Sequence, residues 1–204
     1  MTSAAPTSPT PLTEREIIEK WEKTENSDTP LVTVICHSYN HSQMIEDCLN
    51  GILCQRTNFP WELIIHDDAS TDNTPEIILD YAASYPNIIK IIQQSKNQYS
   101  LNTPPTVFTF PQAKGKYIAL CEGDDYWTDP QKLQKQADLL ESNPEIAVCG
   151  HDAITIEDGK IIKQSKLQPH QKNRASPEQL SKGVFILTLT AMFRKNFDID
   201  PPEH

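Results

Sequence analysis

The sequence has no long hydrophobic run and no recognisable targeting segment. In its 204 residues the longest apolar stretch, residues 183–193, is interrupted by Thr188 and Thr190. A membrane-spanning helix needs roughly 20 consecutive apolar residues, so this stretch is too short. The N-terminus also lacks the basic, apolar and small-residue order of a secretory signal. We therefore expect a cytoplasmic protein without a transmembrane segment.

Paired cysteines are also missing. The chain has five cysteines, an odd number, and no two of them show Cys-x-x-Cys spacing. This pattern argues against a disulfide framework and against a zinc site built from such pairs. Because most of them lie in apolar runs, we expect reduced thiols in the core. They are Cys36, Cys48, Cys54, Cys121 and Cys149.

Basic residues and glycine-rich phosphate loops are scarce as well. The 18 basic and 28 acidic residues give a net charge of −10, which disfavours nucleic acid as a partner. Gly-x-Gly-x-x-Gly and Walker motifs are absent, since Lys114-Gly115-Lys116 has no upstream glycine. Dinucleotide oxidoreductases and P-loop enzymes are therefore disfavoured. A phosphate-bearing substrate would instead need a hard cation on oxygen ligands, Mg²⁺ or Mn²⁺.

Short apolar segments alternate with helical patterns through the middle of the chain. Their spacing of about 30 residues indicates βαβ units. We expect helices to begin at Ser42, at Thr74-Pro75 and at Asp129-Pro130, where caps and first-turn prolines occur. The prediction is an α/β fold, a three-layer α/β/α sandwich around a mostly parallel sheet. The predicted strands are residues 31–36, 61–65, 88–92, 116–121 and 146–149.

Four regions are predicted along the chain. Residues 1–11 form a Pro/Ser/Thr tail that has too little apolar surface to fold and is expected to be disordered. Residues 12–29 hold a linker and a helix that begins at a Thr13 capping box and extends to about residue 25. Residues 30–152 form the core. Residues 153–204 begin with a hairpin at Asp158-Gly159.

Unusual residues follow three of the predicted strands. In a parallel sheet the carboxyl ends of the strands lie at one edge, so these residues should converge. An aromatic ring and several carboxylates at one edge suit a nucleotide that binds its phosphates through a metal. The three segments are His37-Ser38-Tyr39-Asn40-His41, His66-Asp67-Asp68 with Asp72, and Glu122-Gly123-Asp124-Asp125.

Each segment also has a simpler interpretation when it is taken alone. Tyr39 could be a packed edge aromatic, and Asp67-Asp68 could be a solvated turn. Asp72 fits an Asx turn. Gly123-Asp124-Asp125 could be a solvated loop. The ordered occurrence of all three segments at strand ends favours the nucleotide interpretation.

Three stretches resemble the successive motifs of family 2 glycosyltransferases with the GT-A fold, a Rossmann-like nucleotide-sugar-binding fold. They are residues 30–40, 61–74 and 115–127. The resemblance implies transfer of a sugar from a nucleoside-diphosphate donor with inversion, assisted by Mn²⁺ or Mg²⁺, to a saccharide, lipid-linked or other acceptor. Polysaccharide biosynthesis is the implied context.

The resemblance also implies roles for individual residues. Tyr39 would stack on the base near the backbone of His37, and Asp68, beside Asp67, would accept a hydrogen bond from the N–H of a uracil or thymine. Asp124 would contact the ribose or sugar. The metal ligands would be Asp125, the main one, with Asp124 and Glu122.

The catalytic base implied by the resemblance is not found. In the family it follows the segment that residues 185–196 resemble. Asp198, Asp200 and Glu203 do not fit that pattern, so no base is assigned and the acceptor-side region is expected to be incomplete. Two alternatives stay open: a truncated, non-catalytic nucleotide-sugar-binding domain and, less favoured, a nucleotidyltransferase, which would bring a glycine-rich basic loop near the first strand.

Overall fold

The computed structural model describes residues 4–21, 29–172 and 186–196. One sheet has the strand order β3-β2-β1-β4-β8-β5, and a separate hairpin is formed by β6 and β7. Strands β1 to β4 are mutually parallel, whereas β8 runs antiparallel to both β4 and β5. The strands are β1 Val32–Ser38, β2 Trp61–Asp67, β3 Ile89–Gln93, β4 Tyr117–Leu120, β5 Val148–Cys149, β6 Thr155–Glu157, β7 Lys160–Lys163 and β8 Met192–Arg194.

Helices cover both faces of the sheet. On one face the apolar residues of α2, spaced i, i+3, i+4 and i+7 from Ile45, pack against the inward side chains of β1 and β2. On the other face Phe110 and Ala113 pack against Ile35, Ile64 and Ile118. The α/β/α prediction is therefore confirmed. The helices are α1 Glu14–Ile18, α2 Ile45–Leu53, α3 Thr74–Ser84, α4 Thr106–Thr109 and α5 Lys132–Ser142.

Two helix starts differ from the prediction. Helix α2 begins at Ile45 and not at Ser42, which lies in the preceding turn, where its backbone N–H donates to Asp72 Oδ2, 3.0 Å away. Helix α5 begins at Lys132, and Asp129 instead accepts a hydrogen bond from Gln131 N within the preceding turn. In both places a contact to a neighbouring side chain fixes the turn before the helix.

The first described residues contact the hairpin and the turn after β4. Ala5 N donates to Gly159 O at 2.9 Å, and the Tyr126 hydroxyl donates to Pro6 O at 2.5 Å. That residues 1–11 form a disordered tail stays a prediction. The Thr13 capping box is present at α1, which ends at Ile18, and residues 22–25 of the predicted helix lie outside the described residues.

Strand β8 was not predicted, and it changes the position of β5. It lies between β4 and β5, so β5 joins the sheet as an antiparallel neighbour of β8 and not as a fifth parallel strand. The Arg194 side chain extends from β8 to Tyr117 Oη and to the Leu140 and Asn143 carbonyl oxygens at the end of α5. The hairpin at Asp158-Gly159 is confirmed, and both turn residues have positive φ, 48° and 69°.

The sheet has a topological switch point beside β1. Strand β2 lies on one side of β1 and β4 on the other, so the connections leave in opposite directions and open a crevice at the carboxyl ends. Residues 93–113 contain α4 and two short 3₁₀ turns and cover one face near this edge. Within the described ranges, no helix is long and apolar enough to cross a membrane.

Candidate functional site

The structure brings the three predicted segments together at the switch point. Strands β1 and β2 are in register, with Ser38 opposite Asp67 at their carboxyl ends. The Gly123 N–H donates to the His37 carbonyl oxygen at 2.9 Å, which holds the turn after β4 against the end of β1. The aromatic segment and both acidic segments therefore share one crevice.

Asp67 and Asp68 are buried and hold neighbouring loops, so the solvated-turn interpretation is wrong for them. Asp67 accepts hydrogen bonds from the backbone and hydroxyl of Ser70. Asp68 Oδ1 accepts from Gln98 N at 2.7 Å and Oδ2 from Tyr99 N at 3.0 Å. Because each carboxylate oxygen has a second lone pair, Asp68 can still accept one more donor.

Tyr39 presents an exposed ring at the end of β1, with 43% of its surface accessible. The turn that carries it is fixed by Asn40, whose φ is +55° and whose side-chain oxygen accepts from Thr71 N at 2.8 Å. Asp72 Oδ1 accepts from Thr74 N at 3.0 Å, which confirms the Asx turn. Sequence reasoning missed the positioning role of Asn40, although an asparagine directly after the aromatic residue is a left-handed turn signal.

His37 and His66 form a neutral aromatic wall behind Tyr39. Burial, together with the nearby His66, lowers the pKa of His37 to about 4, and burial also lowers the pKa of His66. Their rings meet edge to face at 5.8 Å, and the His66 ring stacks on Phe108 at 5.6 Å. His37 Nε2 lies 3.1 Å from Thr109 Oγ1. Both imidazoles are therefore uncharged at neutral pH.

The acidic turn after β4 packs tightly against the end of β1. A Cβ on Gly123 would lie 2.7 Å from His41 Nδ1 and 3.1 Å from Ser38 Oγ. Both of these buried atoms lack a hydrogen-bond partner among the described residues. Only glycine fits at this position without displacing His41 or Ser38.

The carboxylates of this turn repel one another. Burial raises the pKa of Glu122 and of Asp125, and the neighbouring carboxylates add to both shifts, whereas Asp124 is exposed. A divalent cation would relieve this repulsion, and carboxylate oxygens suit Mg²⁺ or Mn²⁺. No group of three His, Cys, Asp or Glu side chains is placed to hold a metal within the part of the chain that the structure describes. The residues fit a cation that takes its remaining ligands from substrate phosphates, as Mg²⁺ usually does.

A cavity of about 570 Å³ adjoins Asp124 and Asp125. It is bounded by Trp127, by the first turns of α5 and by residues 151–156. Lys132 lines it, although its side chain is only 4% exposed and its Nζ lies 3.8 Å from the centre of the Trp127 ring. Sequence reasoning missed Lys132, although its position immediately before Leu133 puts it beside the apolar stripe of α5. Asp152, which also lines the cavity, is paired with Lys172.

Comparisons with known proteins give consistent matches. Residues 33–199 match the family model described as Glycosyl transferase family 2. An uncharacterized protein of Mycobacterium tuberculosis is 42% identical over 172 residues, which cover 83% of this chain and 48% of that protein. The UDP-Glc:alpha-D-GlcNAc-diphosphoundecaprenol beta-1,3-glucosyltransferase WfgD of Escherichia coli is 31% identical over 143 residues, 69% of this chain and 54% of that enzyme.

Among solved structures, S. aureus TarS 1-349 in complex with UDP-GlcNAc shares the fold. The TM-score is 0.62 at 24% identity, and the match covers 80% of this chain and 45% of that one. The chain spans about half the length of the curated relatives named above.

Proposed function

Because the chain belongs to glycosyltransferase family 2, we propose that it binds a uridine or thymidine diphosphate sugar with Mn²⁺ or Mg²⁺ and serves an inverting glycosyl transfer. The observation that carries the proposal is the Gly123–His37 backbone hydrogen bond, which joins the acidic turn to the aromatic end of β1. A base and a diphosphate could then bind across one switch point, as in other open α/β sheets. The UDP-glucose named for the Escherichia coli relative supports a uridine donor.

The base side of the crevice is neutral and aromatic. We assign stacking on the base to Tyr39, whose exposed ring stacks on no other aromatic ring among the described residues. His37 and His66, both neutral, favour an uncharged pyrimidine over a phosphate at this wall. Asp68 would accept from the ring N–H through its free lone pair. The loop at residues 98–99 would orient the Asp68 carboxylate.

The acidic side faces the diphosphate and the sugar. Asp125 is the residue we assign as main metal ligand, with Asp124 toward the ribose or sugar and Glu122 holding the metal through water. A bound divalent cation would stabilise the negative charge that develops on the leaving diphosphate. We assign no base for the acceptor hydroxyl among the described residues.

Calorimetric titration with UDP, in the presence and absence of Mn²⁺, tests this proposal. We expect binding that Mn²⁺ strengthens, and we expect Asp125→Ala to weaken the Mn²⁺-dependent part at least about tenfold, as for a lost charge-assisted contact. Asp138→Ala is the matched control, since Asp138 is an exposed acid of α5 that contacts Gln134. The metal assignment would be refuted if UDP affinity did not depend on Mn²⁺, or if Asp125→Ala and Asp138→Ala bound UDP with the same Mn²⁺ dependence. Absence of any UDP or TDP binding would refute the donor assignment.

A further inference from the structure

Lys132 is a buried cation that no carboxylate neutralises. Its Nζ has no hydrogen-bond partner among the described residues, although the side chain lines the cavity beside Asp124 and Asp125. Four aspartates line the cavity: Asp124 and Asp125 are those assigned to the metal, and the other two are already engaged. Asp129 pairs with Lys135 at 2.8 Å, and Asp152 pairs with Lys172 at 2.7 Å. The ammonium group is therefore left to interact with a ring face and with whatever enters the cavity.

A hydrogen-bond acceptor lies one helical turn further along. Gln136 also lines the cavity, and its Nε2 donates to Thr190 O at 2.8 Å. That bond fixes the amide, whose Oε1 has no partner within the described ranges. Side chains four residues apart lie on the same face of a helix, so α5 offers a strong donor and an acceptor side by side.

The cavity around Lys132 carries charges of both signs. It is lined by the acids Asp124, Asp125, Asp129 and Asp152, by Lys135 and Lys166, and by the imidazole of His151. The thiols of Cys121 and Cys149 also act on Lys132. Burial lowers the pKa of Lys132 to about 7, and burial also lowers that of His151, on which Lys132 acts in the same direction. A bound anion would offset the desolvation of the ammonium and would raise the pKa of Lys132.

We propose that this cavity is a subsite for an acidic sugar unit of the substrate, in which Lys132 Nζ donates to a carboxylate or phosphate and Gln136 Oε1 accepts from a neighbouring hydroxyl. Sugar acids and sugar phosphates carry both groups on one ring. The inference rests on the proposed glycosyl transfer, because the cavity adjoins the acidic turn assigned to the donor. It adds a preference for charge that the donor site does not require.

Indole N–H resonances of the ¹⁵N-labelled protein provide a test that needs no nucleotide and no turnover. The Trp127 Nε1–H donates to Leu189 O at 2.8 Å under Lys132, and its signal can be assigned with Trp127→Phe. Glucuronate, glucose 6-phosphate and glucose are titrated separately into the wild type, Lys132→Met and Lys116→Gln. Lys116→Gln is the matched control, since it removes an exposed charge that pairs with Glu141 of the same helix and does not line the cavity.

We expect glucuronate, glucose 6-phosphate or both to shift the Trp127 signal with an affinity at least about tenfold higher than that of glucose. Comparison of the two acidic sugars shows whether the subsite prefers a carboxylate or a phosphate. Lys132→Met should lose this preference and Lys116→Gln should keep it. Wild-type affinity for glucuronate should fall several-fold between pH 6.5 and pH 8.5, since only the protonated amine donates to the anion. Equal affinity for glucose and the acids, an unchanged preference in Lys132→Met, or pH-independent glucuronate binding would overturn the proposal. These titrations contain no UDP, so they test the subsite even if the protein does not bind UDP.

Discussion

Replacing Lys132 with methionine should make the ligand-free protein more stable at neutral pH. The side chain is 4% exposed, and its ammonium group has no hydrogen-bond partner among the described residues. Burying a cation without a partner opposes folding, whereas methionine fills a similar volume without a charge. The same substitution would remove the anion contact from the cavity, so stability and binding should change in opposite directions.

The size of the effect follows from the pKa of Lys132. Burial lowers that pKa from 10.5 to about 7, so between these values the unfolded chain holds a proton that the folded protein has released. Stability then rises with pH across this window, by about 1.4 kcal/mol per pH unit once the folded amine is neutral. Between pH 7 and pH 9 the free energy of unfolding of the wild type should rise by about 2 kcal/mol relative to that of Lys132→Met.

Urea denaturation of both proteins at pH 7, 8 and 9 measures this difference. Groups that titrate in both proteins and do not interact with Lys132 cancel in the comparison. Lys135→Met, which removes an exposed ammonium from the same helix, should follow the wild type across the range. A difference between wild type and Lys132→Met that stays constant with pH would refute the low pKa. A Lys132→Met variant that is less stable than wild type at pH 7 would refute the conclusion that Lys132 is a buried cation without a partner.

Three further substitutions test contacts at the two ends of the parallel strands. Gly123→Ala should cost about 1–3 kcal/mol in urea denaturation, because its Cβ would meet His41, and an unchanged midpoint would show that the acidic turn is not packed as described. Asp68→Ala should cost about 1–3 kcal/mol and accelerate amide exchange at Gln98 and Tyr99, and unaltered exchange there would contradict the loop contacts. Thr33→Val should cost about 1–3 kcal/mol, since the buried hydroxyl donates to Glu62 and accepts from Gly115 N, and a neutral result would argue against this bridge.

The parallel part of the fold could be predicted because each of its elements carries a local signal. A β-branched run forms β1 itself. The start of α3 is marked by a proline in its first turn, and the end of β4 by the acids that follow it. The hairpin between β6 and β7 was predicted for the same reason, since Asp158-Gly159 adopts the positive φ values that this dipeptide favours.

The remaining features depend on contacts between distant parts of the chain. Strand β8 has only three residues, too few for a periodic pattern, and its place in the sheet comes from pairing with β4 and β5. The turn before α2 contacts Asp72, which belongs to another loop. The local sequence likewise does not predict that Lys132 is buried, because a lysine at the start of a helix is normally solvated.

The sequence predicted the roles of the acidic residues only in part. The sequence indicated that Asp67 and Asp68 stand at the site, but not that both carboxylates already bind neighbouring loops. The metal assignment of Glu122, Asp124 and Asp125 stays a prediction. The raised pKa of Asp125 is compatible with a cation there, since burial and Asp124 both destabilise its charged form.

Strand β8 also sets an order for assembly during synthesis. Strands β1 to β4 can pair as soon as residue 120 has left the ribosome, but the free edge of β4 stays open until residues 192–194 follow. The carbonyl groups at the end of α5 likewise gain the Arg194 guanidinium only then. An unpaired edge strand is a template for pairing with another chain, so this interval is when the nascent protein is most prone to aggregate.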